Sequence, residues 1–114
     1  MAGQKFMLGE FGWDVRYRVP DIEKVLTPAL VIYPDAIDSN IDRTLELLDG
    51  NPERWRVHIK TAKLGYTLRL LAERGIHHFK CATTLELRVA CESGARDVLL
   101  AYPVMGANAQ RVRE

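Results

Sequence analysis

Arg56-Val57-His58-Ile59-Lys60-Thr61-Ala62-Lys63 is the stretch on which the fold is read. A short apolar run from Trp55 to Ile59 meets a lysine and breaks at once into polar residues. Side chains alternate between the faces of a strand, so His58 and Lys60 point one way while Val57 and Ile59 point the other. A lysine at the carboxyl end of a buried parallel strand has an ordinary role, marking the strand's end and carrying its charge out to water. It also has a chemical one, as an amine nucleophile that condenses with an aldehyde to form a Schiff base. The segments on either side bear on the choice.

Downstream, Leu64, Leu68, Leu71 and Ala72 recur at helical spacing, and Gly75 fits the position just past the helix end. A strand is expected over about His78 to Ala82. Thr83 and Glu86 then have the spacing of a capping box, opening a helix with Leu87, Ala90 and Cys91 inward and Gly94 at its end. Val98 to Tyr102 reads as a further strand, stopped by Pro103. After Gly106 a last helix begins, with Asn108 as cap and Ala109 and Val112 apolar.

Upstream, Ala29-Leu30-Val31-Ile32-Tyr33 is a continuous apolar run, the pattern of a parallel strand covered on both faces. Asp35 can cap a helix carrying Ile37, Ile41, Leu45 and Leu48, which Gly50 and Pro52 end. Strand centres near Val31, His58, Phe79 and Leu100 lie 27, 21 and 21 residues apart, the rhythm of βα units. Residues 1–25, broken by Gly9, Gly12 and Pro20, read as an irregular amino-terminal arm, and residues 26–114 as the folded part.

Four consecutive βα units leave two α/β architectures, an open doubly wound sheet or the amino-terminal half of a (β/α)8 barrel. A phosphate-binding open sheet usually has a glycine-rich first turn, whereas this one reads Tyr33-Pro34-Asp35-Ala36. A complete barrel takes about 250 residues, so a chain of 114 supplies about half. The last helix has barely two turns and no stop signal, which favours the half-barrel.

Composition narrows the function classes. The chain has 16 basic and 15 acidic residues, a balance that argues against a nucleic-acid or membrane-surface partner. Cys81 and Cys91 have no metal-ligand or redox spacing and are expected as buried, reduced thiols. The apolar stretch Phe6 to Leu8 is soon interrupted by Glu10 and Asp14, so no signal-peptide core is expected. A cytoplasmic location follows as the expectation. His77 and His78 are adjacent and face opposite ways, poor geometry for one metal ion.

The blocks Thr27-Pro28-Ala29-Leu30-Val31 with Asp35 and Asn40, His58-Ile59-Lys60-Thr61-Ala62-Lys63, Cys81-Ala82-Thr83 with Glu86, and Leu99-Leu100-Ala101-Tyr102-Pro103 stand in this order over about two-thirds of the chain. In them the chain resembles the alanine racemase-type barrel enzymes, fold-type III of the pyridoxal 5′-phosphate (PLP) enzymes. Within that group it is most similar to the D-threonine aldolase and D-serine dehydratase family. The resemblance implies that Lys60 carries PLP as an internal aldimine, with PLP serving as an electron sink.

It further implies a D-amino or D-3-hydroxy amino acid substrate, with aldol cleavage, β-elimination or racemisation as the reaction. His58 is placed to contact the cofactor's ring or hydroxyl, and Tyr102 to line the mouth. Glu86 is fully accounted for as part of the capping box and receives no chemical role. Position 62 is alanine where the family block commonly has histidine, a departure that bears on substrate specificity and not on PLP binding. The family's phosphate-binding loops, its second catalytic partner and its divalent-metal ligands belong to later strands and a carboxyl-terminal β-domain. No metal ligand is therefore expected here, and the short chain alone is expected to be inactive. Two open strand edges lead to the expectation of a homodimer or other self-association. The rival reading is a non-catalytic small α/β module that binds PLP or a protein partner.

Overall fold

Val57–His58 (β1), His78–Cys81 (β2) and Asp97–Leu100 (β3) lie side by side in a parallel sheet of order β1-β2-β3. The structure is a computed structural model that describes residues 17–114. Most of the arm expected for residues 1–25, with the stretch Phe6 to Leu8, lies outside the described residues. Four helices accompany the sheet: α1 (Pro34–Leu47), α2 (Gly65–Glu73), α3 (Thr84–Glu92) and α4 (Ala107–Arg113). The chain divides into two compact units, Met1–Pro34 and Asp35–Glu114, and the sheet belongs wholly to the second.

Local chemistry explains where the helices stop. Behind α2, Gly75 at φ 81° sends its N–H to Ala72 O and Ile76 sends its own to Leu71 O. Behind α3, Gly94 at φ 97° and Ala95 repeat the pattern onto Cys91 O and Ala90 O. Each is a Schellman ending, in which a left-handed residue lets two otherwise orphaned carbonyls be satisfied. α1 ends the same way, but the left-handed position is taken by Asp49 at φ 56°, one residue before the expected Gly50. Aspartate tolerates that conformation better than most side chains.

Strand alternation sorts the sheet into two faces. Val57, Phe79 and Val98 are in register, as are Cys81 and Leu100, and these point into the core. Ile59, Leu68, Leu71, Ile76, Phe79, Cys81, Ala90 and Ile41 form one buried cluster, so α1, α2 and α3 all contribute to the same core as this face. A sheet of sequential order with right-handed crossovers must place its connecting helices on one side. Leu99, on the opposite face, is 49% exposed.

The largest correction concerns residues 29–33. They form no strand, and Leu30 is 72% exposed. An apolar run becomes a strand only when its backbone finds a hydrogen-bonding neighbour. Here the run ends on Tyr33, whose hydroxyl donates to Tyr17 O at 2.8 Å and whose ring meets Tyr17 edge-on at 5.1 Å. Among the described residues the fold is thus an α/β domain with a three-stranded parallel sheet and four α-helices, and not four complete βα units.

Smaller differences follow. Asp35 lies inside the first turn of α1, and α4 is preceded by Gly106 as its cap and not Asn108. Cys81 is buried as expected, whereas Cys91 is exposed. Ladder pairing of the last strand starts at Asp97 and stops at Leu100. Among the described residues no helix is long and apolar enough to cross a membrane.

Candidate functional site

The face of the sheet turned away from the shared core of α1, α2 and α3 carries two rows of side chains. The lower row holds Arg56, His78 and Asp97, the upper row His58, Lys80 and Leu99. Arg56 reaches across β2 to make a forked pair with Asp97, at 3.1 Å to Oδ1 and 2.5 Å to Oδ2, and donates to Phe79 O at 3.0 Å. The hydrogen bond from Arg56 holds the Asp97 carboxyl below the usual carboxylate range, against a partial desolvation that opposes it. His78 meets Glu53 at 3.3 Å, and His77 is bound to Gly94 O at 2.9 Å on the other side. Both histidines have structural partners.

Above the upper row the chain leaves β1 in a tight turn. Ile59 continues the ladder by donating to Lys80 O, and Lys63 N–H closes the turn onto Ile59 O at 2.8 Å. Lys60 stands in this turn, exposed, with its backbone N–H directed to His58 Nδ1 at 3.3 Å. That contact makes Nδ1 the acceptor and leaves Nε2 as the nitrogen carrying hydrogen. Ile59 is buried while Lys60 is not. Lys60 makes no ion pair among the described residues, so its amine is open to a reagent from solvent.

Lys63, three residues on, differs. Its backbone is left-handed at φ 54°, and its ammonium pairs with Glu86 Oε1 at 3.6 Å. The Glu86 side chain is only 6% exposed. Its second oxygen, Oε2, accepts the Ala82 N–H at 2.8 Å, while its own N–H goes to Thr83 Oγ1 at 3.1 Å. The capping box read from spacing is therefore present in altered form: the carboxylate takes the amide one residue before the cap. Burial pushes the neighbouring Cys81 thiol up, and the Glu86 charge adds to the effect.

Lys60 and His58 are brought together at the carboxyl end of β1. Tyr102 follows β3, at the far side of β2 and thus about 10 Å away across two strand spacings, where it is 68% exposed. Reading the sequence missed the Lys63–Glu86 link, because 23 residues separate the partners and only the cap spacing of Glu86 is local. Among the described residues no group of three His, Cys, Asp or Glu side chains is gathered to hold a metal ion. No protein-family model, no curated protein and no solved structure matches the chain.

Proposed function

We propose that the chain is the amino-terminal part of a PLP-dependent enzyme of the alanine racemase type, built on a (β/α)8 barrel and acting on D-amino or D-3-hydroxy amino acids. The observation that carries the reading is the pairing of a strictly sequential parallel sheet with the His58-Ile59-Lys60 block at the carboxyl end of its first strand. Sequential order without reversal is the winding of a barrel and also of one half of a doubly wound sheet, so it is the lysine block at the strand end that selects the barrel. In this reading the face turned away from α1, α2 and α3 corresponds to a barrel interior, and the turns after the strands to the face where barrel enzymes hold their substrates.

The residues at that end fit the cofactor. Lys60 offers a primary amine that is exposed and not held by a carboxylate. His58 beneath it is held as an Nε2–H donor by the Lys60 amide. Bound there, PLP supplies a conjugated electron sink for the carbanion formed when a bond at the substrate's α-carbon breaks. Lys60 is the attachment point and His58 orients the turn that bears it, with a donor to offer to the ring's oxygen. Tyr102 at the end of β3 bounds the same end of the sheet. The substrate is a small D-amino acid, and the open strand edges are where further units of the barrel or a second copy would pair.

The test is chemical. The chain is incubated with PLP, reduced with borohydride and digested for peptide mass spectrometry. A single adduct at Lys60, lost in Lys60→Ala, is the expected result. Label spread evenly over Lys60, Lys63 and Lys80 is how undirected amines behave and would overturn the reading.

A further inference from the structure

The geometry points to Glu86 as a positioning residue that holds the Lys60 turn and decides which of its two lysines is left to react. This deepens the proposed function and rests on it for the identity of the aldehyde. A capping glutamate is ordinarily exposed and returns to the amide of the cap residue. Glu86 is buried and does something else with each oxygen. Oε2 takes the amide of Ala82, in the loop after β2, and Oε1 takes the ammonium of Lys63, in the turn after β1. Helix α3 needs neither contact to begin, because Thr83 Oγ1 already receives the Glu86 N–H.

The two loops it joins are those at the carboxyl end of the sheet. Lys63 is left-handed at φ 54°, a conformation unfavourable for a residue with a Cβ. Something must hold it there, and two contacts do: its N–H on Ile59 O at 2.8 Å and its ammonium on Glu86. Between those anchors lies Lys60. A turn with lysines at both positions 60 and 63 offers two amines to one aldehyde. Glu86 engages the second and leaves the first. The reacting amine forms its C–N bond at the aldehyde carbon, and the carbonyl oxygen leaves as water. A Lys63 ammonium held on a buried carboxylate is a poor candidate for that step.

The test has two readouts on the full chain. Hydrogen exchange of the hydrogen-bonded amides of Lys60 and Lys63 is measured without cofactor in the unchanged chain, in Glu86→Gln and in Lys63→Met. Glu86→Gln keeps an oxygen for Ala82 N–H and removes the charge, and Lys63→Met alters an exposed side chain that the core does not need. Both variants are expected to exchange these amides about tenfold faster, with the amides of β2 unchanged. In the second readout PLP is trapped with borohydride. The adduct, confined to Lys60 in the unchanged chain, is expected to spread to Lys63 in Glu86→Gln. Unchanged exchange in Lys63→Met, or an unchanged adduct pattern in folded Glu86→Gln, would overturn the role assigned to Glu86. Even labelling in the unchanged chain would instead overturn the PLP reading, while the exchange readout still judges whether Glu86 holds the turn.

Discussion

Residues 78–81 and residues 29–33 are of similar length, and only the more polar of the two forms a strand. His-Phe-Lys-Cys is the central strand, with neighbours on both edges and with Phe79 and Cys81 fully buried. Ala-Leu-Val-Ile-Tyr belongs to no sheet, and Leu30, Val31 and Ile32 are all exposed. The difference teaches that apolar content is a poor guide to pairing. A strand is made by the groups beside it, and alternate burial suffices once both edges are bonded.

The strongest way to test this contrast is to cut into the buried side of β2. Phe79→Ala is expected to cost about 3–5 kcal/mol in urea unfolding, since a fully buried ring is replaced by a cavity. A loss below ~1 kcal/mol would mean that Phe79 does not anchor the sheet to its helices. A smaller effect is expected on the other face of the same strands. The Asp97 carboxyl has a folded pKa below its unfolded one because of Arg56, so its contribution is present above about pH 4. It is lost as pH falls from there through the lower folded value. Asp97→Asn should therefore flatten that part of the stability–pH curve and leave the neutral region's slope as it was; an unchanged acid limb would show the pair to be inert. The smallest effect belongs to the exposed run. Leu30→Ser is expected to change stability by no more than about 0.5 kcal/mol, and a larger loss would show that residues 29–33 are paired after all.

What could be read from the chain divides along the same line. Helix ends at Gly75 and Gly94, the Thr83 cap and the inward and outward turn of Ile59 and Lys60 depend on residues within a few positions of each other. All were legible. The pairing of residues 29–33 is a non-local matter that periodicity does not carry. Cys91 was misplaced by one step around α3, whose buried positions Glu86 and Ala90 leave position 91 about 100° off the inward line. Asp49 and Gly50 are both left-handed, at φ 56° and 72°, so α1 ends at an aspartate one residue before the glycine that marked its end. In the candidate site, strand alternation carries only as far as His58; Lys60 lies in the turn beyond β1 and meets His58 through its backbone N–H. The reach of Glu86 to Lys63 was not legible, since it needs the loops after β1 and β2 to be adjacent in space.

The order β1-β2-β3 has a consequence for how the chain is made. Spatial order equals chain order, so no later segment has to insert between strands already joined. A ribosome adds about 5–20 residues each second, so βα units of 22 and 19 residues, by the strand register, take roughly 1–4 s each to emerge. Loops close and helices form in microseconds or less. Each unit therefore has ample time to settle on the growing edge before its successor arrives. Synthesis and assembly can run in step, with β2 as the template for β3.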